Sequence, residues 1–316
     1  MKNIVLKTAV LSSFLFIYQV AQAVDSYSDV VGYEKKSFVA GTTGHGVGFV
    51  QAAKYQGVAT SVSANSLTVS GASFTSNQFA PSGGLPSHYI QITSGSQTGL
   101  VIDITGNTST QLNVGTGDLS SVTGTPSFVI RPHVKVSTLF QGNTDLGDYS
   151  DTVTVYREDG STVTLLRDSS SATGWLDSFT FNAADEVIYP GQAFLLSTSA
   201  AGNFTVTGVV NPSSTIVPIY SGLVNLVSLS NPSTSKNIQN IGLGANLSDF
   251  ADTVGTFTAD GGLQQSNSLL WGGITDGFLD AFTFSTANGV IAGGTSALIV
   301  NASSNTVWTL ASPLTP

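Results

Sequence analysis

Asp148-Tyr149-Ser150-Asp151-Thr152-Val153 and Asp249-Phe250-Ala251-Asp252-Thr253-Val254 are identical or similar at every position and lie 101 residues apart. At the same offset Tyr156 meets Phe257, Asp159 meets Asp260 and Gly160 meets Gly261. After a slip of two residues the match resumes at an offset of 103, with Gly174-Trp175-Leu176-Asp177-Ser178-Phe179-Thr180-Phe181 over Gly277-Phe278-Leu279-Asp280-Ala281-Phe282-Thr283-Phe284. Val187-Ile188 over Val290-Ile291, Gly191 over Gly294 and Leu195-Leu196 over Leu298-Ile299 extend it. A match this long with one slip reads as a duplicated structural unit.

The unit is written in β-sheet language. Short runs of Val, Ile, Thr, Phe and Tyr alternate with Gly, Ser, Asn and Asp clusters, and long amphipathic helical stretches are missing. Asp159-Gly160 supplies the positive φ angles of a tight turn between Val153–Tyr156 and Ser161–Leu165. Two further hairpins are expected, Gly57–Val62 with Ser66–Ser70 about Ser63-Ala64-Asn65, and Leu100–Ile104 with Thr110–Val114 about Gly106-Asn107. Short helix is expected only at Val136–Phe140 and near Asn237–Ile241.

Ahead of the second copy, Val224–Leu229 is an apolar run whose nearest analogue is His45–Val50, at an offset of 179. The first copy therefore holds about 78 extra residues, a length met by 55–131. The expected fold is all-β: two duplicated β-sandwich or barrel-like units, 24–54 with 132–210 and 211–316, the first interrupted by a small β-barrel-like insert at 55–131.

Residues 1–23 are set aside as an address. Lys2 and Lys7 make a basic start, Ala9–Val20 is largely apolar, and Ala21-Gln22-Ala23 is a small-x-small cleavage site. The apolar stretch carries Ser12, Ser13 and Gln19 and falls short of the ~20 residues of a spanning helix, so a signal peptide is preferred to an anchor. Cleavage before Val24 leaves 293 residues and takes the net charge from -9 to −11. No later stretch suits a transmembrane helix. The expected location is extracellular or at the cell surface, with the periplasm also open.

The start Ser28-Asp29-Val30-Val31-Gly32-Tyr33, the run His88-Tyr89-Ile90-Gln91-Ile92-Thr93-Ser94-Gly95-Ser96-Gln97-Thr98-Gly99 with Ile102-Asp103-Ile104-Thr105-Gly106-Asn107, and Val129-Ile130-Arg131-Pro132-His133 together resemble a family. It is a paralogous family of secreted β-rich proteins of verrucomicrobial-type bacteria. Ile188-Tyr189-Pro190-Gly191-Gln192-Ala193-Phe194 is similar to its late Pro-Gly-x-x-Phe element; the second copy has Gly293-Gly294 and Ala297 there. The resemblance implies export and a β fold. It carries over no catalytic residue, because the family has no established activity.

Composition narrows the chemistry. Charged residues make up 9% of the chain against roughly 25% in an average domain, and with 10 basic groups against 19 acidic ones a phosphate-binding surface is excluded. Absence of Cys removes disulfides, thiolate metal sites and Cys nucleophiles. Nucleophile-elbow, zincin, phosphate-loop and dinucleotide motifs are missing. His45, His88 and His133 have no partner by spacing and read as structural, so no catalytic, cofactor-binding or metal residue is assigned, and the ligand is unknown.

Asp145, Asp148 and Asp151, with Asp249 and Asp252 in the second copy, could offer oxygens to structural calcium, but without EF-hand spacing a turn role is favoured. Asp177 and Asp280 could be called a glycosidase pair; as equivalents in a repeat they too read as turn residues. Trp175, Phe179, Phe181 and Phe278, Phe282, Phe284 alternate as core-facing strand residues would. Trp271 is the expected exposed aromatic, whereas Trp308 is expected to close the second core.

The leading expectation is an exported, non-enzymatic protein of the envelope or extracellular matrix acting by display, adhesion or self-association. Residues 200–316 hold one Lys, Lys236, and no Arg, so β edges there lack the charges that commonly guard them. Polysaccharide binding is the alternative; a hydrolase and an outer-membrane barrel rank lower.

Overall fold

The computed structural model describes residues 30–230, 232, 235–258, 261–287, 289–291 and 297–314. The leader, its cleavage site, Asp260 and Gly293-Gly294 lie outside the described residues. The regular structure of the described residues is nearly all β-strand, with helix limited to single turns at Val136–Leu139, Ile238–Asn240 and Gly244–Asn246. The first two fall where the sequence allows them.

Ten strands build two antiparallel five-stranded sheets: β1 (Gly41–Gly46), β2 (Thr152–Tyr156), β3 (Thr162–Arg167), β4 (Trp175–Asp177), β5 (Ala193–Thr198), β6 (Asn225–Ser228), β7 (Thr253–Phe257), β8 (Leu263–Trp271), β9 (Phe278–Asp280) and β10 (Ala297–Asn301). Their orders are β1-β5-β2-β3-β4 and β6-β10-β7-β8-β9, one topology used twice. In each half a first strand also pairs with a last one, Val31–Phe38 with Gly202–Val209 and Thr215–Ile219 with Thr306–Leu310. None of the sheets closes into a barrel.

The ladders correct two sequence registers. Val153 pairs with Leu196 and Val254 with Val300, so 196 answers to 300 at an offset of 104, and Phe194 matches Leu298 rather than Ala297. Thr43 pairs with Leu196 and Asn225 with Val300, which places 43 against 225 at an offset of 182, not 179. Both corrections are odd numbers of residues, and an odd slip in a strand sends every side chain to the opposite face. With the new register Ala193, Phe194 and Leu196 are buried as Ala297, Leu298 and Val300 are.

Alternation then fills the cores. Val153 and Val155 of β2 point into a cluster with Phe140, Leu165, Trp175 and Phe204. Val254, Leu269, Phe278, Leu298 and Trp308 do the same in the second unit. Trp308 is fully buried, as expected, and its indole N–H donates to the Ile241 carbonyl at 3.0 Å.

The two sheets meet along their inner edges. Gly44 N–H donates to the Gly261 carbonyl at 2.7 Å and Ser228 N–H to the Gly191 carbonyl at 2.8 Å. A small apolar layer of Ala193, Leu226, Phe257 and Ala297 fills the contact. Gly46 and Ser228, equivalent in the corrected register, face each other so closely that a Cβ on Gly46 would lie 2.1 Å from that of Ser228. Contact between equivalent residues is the pattern of a local two-fold axis.

Residues 55–132 form a separate pair of open four-stranded sheets around a core that includes Leu67, Ile90, Ile102, Leu112 and Ile130. Among the described residues no strand of this segment pairs with a strand outside it. The expected strand Gly57–Val62 is divided: Tyr55–Val58 joins one sheet and Ser61–Ser63 the other. Gly106-Asn107 is itself a strand, paired with Leu112 and Asn113, rather than the turn. The Asn107 side chain explains the shift, since its oxygen accepts from Phe79 N–H at 2.9 Å and its amide donates to the Thr75 carbonyl at 2.7 Å.

Candidate functional site

The acidic residues of the repeat act on backbone. Asp151 is buried; one carboxylate oxygen accepts from Gly147 N–H at 2.9 Å and the other from Ser199 N–H at 3.0 Å. Asp252 accepts from Ser248 N–H at 2.8 Å and Ser303 N–H at 2.7 Å in the same way. Each carboxylate ties the loop before a central strand to the residues after its neighbour. Asp145 accepts from Asn203 N–H and Asp148 from Ser169 N–H, both at 2.8 Å, while Asp249 lies against Gly273. The three carboxylates of the first copy thus serve different strands instead of converging, and among the described residues no three metal-binding side chains come together.

Asp177 and Asp280 fold the turns that follow the edge strands β4 and β9. The Asp177 carboxylate accepts from Phe179 N–H at 3.1 Å and Thr180 N–H at 2.7 Å; Asp280 accepts from Phe282 N–H at 3.0 Å and Thr283 N–H at 2.7 Å. These bonds to the charged form hold both carboxyls below the ordinary aspartate value of 3.8. For a lowered native pKa the stabilisation is complete above the unfolded value and disappears as pH falls through the native one. The backbone amides of Thr180 and Thr283 should therefore keep their neutral-pH NMR shifts down to about pH 4 and move together at lower pH; movement near pH 6 would contradict the assignment.

These turns overturn the expected packing of four of the six aromatics, while Trp175 and Phe278 are in the cores as expected. Phe179, Phe181, Phe282 and Phe284 are 83%, 61%, 75% and 60% exposed, respectively. They lie in turns after short strands, so alternation along a strand does not apply to them. Phe181 and Phe284 take φ of 57° and 56°, a left-handed conformation uncommon for bulky residues. Tyr149 and Phe250, equivalent in the repeat, repeat the pattern with φ of 57° and 53° and are also exposed. Trp271, the expected surface aromatic, is instead in the second core, with its ring centre 4.9 Å from that of Phe278. Its backbone N–H bonds Asp252 as that of Arg167 bonds Asp151, so the indole occupies the place of the Arg167 guanidinium, which lies over Trp175 in the first unit.

Each histidine has a polar neighbour within 3 Å. His45 is buried against Phe194 and Phe204, with Nε2 2.9 Å from the Thr43 hydroxyl oxygen. His88 Nδ1 lies 2.9 Å from the Ser87 hydroxyl, and burial lowers its pKa. Spacing could not reveal the partner of His133: its Nε2 lies 2.9 Å from Asp103 Oδ1, and the other Asp103 oxygen accepts from the Tyr189 hydroxyl at 2.7 Å. This chain fastens the insert to the first unit. Burial and the Asp103 charge raise the Tyr189 pKa, which keeps the phenol protonated at neutral pH.

Tyr189 also lines a cleft of about 500 Å³ at the meeting of all three parts. Leu85 and Pro86 come from the insert, Tyr156, Arg157 and Glu158 from the first unit, and Tyr220 from the second. The hairpin tip after β2 rests on the second unit, since a Cβ on Gly160 would lie 2.7 Å from Leu223 Cδ2. Burial and Glu158 push the Tyr220 pKa up to about 12. Arg157 donates to one Glu186 oxygen while the other accepts from Val187 N–H at 3.0 Å. Their convergence was missed because they are dispersed in the chain and no single motif joins them.

Comparison with protein-family models, with curated proteins and with solved structures returns no match for this chain. No described helix is long and apolar enough to cross a membrane.

Proposed function

We propose that the protein is an exported, non-enzymatic component of the cell envelope or extracellular matrix that works by adhesion and self-association. The paired aromatic turns carry this reading. Burying a Phe side chain is worth about 1.5–3 kcal/mol, and each turn leaves two such rings in water on a backbone held by an aspartate. A left-handed non-glycine residue costs on the order of 1 kcal/mol or more. The same arrangement occurs in both units, which supports selection for outward display.

Side chains of the turns make the contacts in this reading, rather than the edges of the two five-stranded sheets. The outer edge strands β4 and β9 have three residues each, and the inner edges are covered by the sister unit. Short or covered edges resist pairing with other chains. Lys236, singled out for its isolation, lies in a two-residue strand paired with Ile291 and guards no long edge. Sedimentation of the mature chain tests the reading: concentration-dependent association is expected for the wild type and a monomer when all four phenylalanines are serine.

The signal-like leader and the resemblance to secreted verrucomicrobial-type proteins support export. Duplication of an ancestral unit is proposed on the joint evidence of the sequence repeat and the repeated strand order.

A further inference from the structure

We propose that the three-part cleft is a binding site for a neutral oligosaccharide, distinct from the aromatic turns. Its volume of about 500 Å³ falls in the range of small-ligand sites, and its position between structural units is a favoured one for such sites. Tyr156, Tyr189 and Tyr220 line it, one from each of three separate chain segments. Flat phenol rings suit the C–H faces of pyranoses and lose little conformational entropy on binding.

The three tyrosines are held in place by two side-chain amides. Gln192 donates to the Tyr156 carbonyl at 2.6 Å and accepts from Tyr189 N–H at 3.0 Å. Asn225, buried, accepts from Tyr220 N–H at 2.8 Å and donates to the Tyr220 carbonyl at 2.9 Å. The ring-bearing backbones are thereby ordered before any ligand arrives, which lowers the entropic cost of binding. A cavity formed by accidental packing has no need for this clamping.

Charge selects the class of sugar. Among the described residues Arg157 is the sole cation lining the cleft, against Glu158, Asp159 and Glu186. The excess of carboxylates repels uronates and sulfated or phosphorylated sugars, while carboxylate oxygens accept hydrogen bonds from sugar hydroxyls. Arg157 and Glu186 are bound to each other, and the second Glu186 oxygen is held by backbone, so the pair positions ligand rather than exchanging protons with it.

Isothermal titration of the mature chain with gluco-, manno- and galacto-configured neutral hexamers provides the test, with an oligouronate of equal length and spermidine as charged probes. At least one neutral hexamer is expected to bind one per chain, with at least tenfold weaker binding in Tyr156→Ala, Tyr220→Ala and Glu158→Gln. Circular dichroism checks each fold, and Glu158→Gln preserves shape if a tyrosine variant unfolds. Failure of every neutral hexamer at millimolar concentration, equal binding of the oligouronate, binding of spermidine alone, or unchanged affinity in folded variants would overturn the proposal. None of the four turn phenylalanines lines the cleft, so their serine variants should titrate as the wild type does whatever their assembly state.

Discussion

Trp308→Ala lowers the unfolding free energy by about 3–5 kcal/mol, among the largest losses expected from a single apolar truncation in this chain. The indole is fully buried in the second core and its N–H holds the Ile241 carbonyl at 3.0 Å, beside the turn Ile238–Asn240. Truncation removes the contacts of the ring, leaves a cavity and strands a carbonyl. Trp308→Phe separates these terms: it keeps most of the apolar contact and loses the hydrogen bond, so its cost should be roughly 1–2 kcal/mol. The midpoint of urea unfolding reads both losses. A Trp308→Ala midpoint equal to that of the wild type would remove Trp308 from the core.

Asp252→Ala should be nearly as damaging, at about 3 kcal/mol or more, because hydrogen bonds to a charged partner contribute roughly 1.5–3 kcal/mol each. The carboxylate is 0% exposed and serves Ser248 N–H ahead of β7 and Ser303 N–H after β10, at one end of the antiparallel β7–β10 pair. Asp252→Asn retains one accepting oxygen and should lose about half as much as alanine. Asp151→Ala is expected to follow in the first unit, where the hydroxyls of Ser150 and Ser199 also approach the carboxylate. Chemical denaturation of the three variants gives the ranking. An Asp252→Ala variant as stable as the wild type would contradict the acceptor role.

The central part of the fold could be read from residues because the repeat preserves what strands require. Asp-x-x-Asp-Thr-Val marks the entry to β2 and β7 in both copies, and Asp159-Gly160 closes the first hairpin. Register beyond β4 and β9 was not legible from likeness alone. Leu, Ile and Val are interchangeable to the eye, so Leu195-Leu196 could be laid on Leu298-Ile299 when hydrogen bonding demands Ile299-Val300. A period of two also misled at Phe179, Phe181, Phe282 and Phe284, since it has no meaning in a turn that Asp177 or Asp280 has already closed. The burial of Trp271 depended on its equivalence to Arg167, two residues with nothing in common by type.

The cleft was less legible still. Tyr156, Tyr189 and Tyr220 lie in segments with different local patterns, and Asp103 reaches His133 and Tyr189 from within the insert. Contacts of this kind arise from how the units dock, and short-range periodicity carries no trace of docking. The turn roles of Asp177 and Asp280, by contrast, were legible because the side chain bonds amides only two and three residues ahead.

Two equivalent contact turns per chain make a quantitative demand on assembly. A chain with two self-complementary sites extends into open oligomers, whereas a chain with one stops at a dimer. Sedimentation equilibrium of the mature protein over rising concentration tests this with three variants: Phe179→Ser with Phe181→Ser, Phe282→Ser with Phe284→Ser, and all four together. The account predicts open-ended growth for the wild type, a limit at dimer for each double variant, which keeps one contact turn, and a monomer for the fourfold variant. A wild type that stays monomeric at high concentration, or a fourfold variant that assembles as the wild type does, would contradict it.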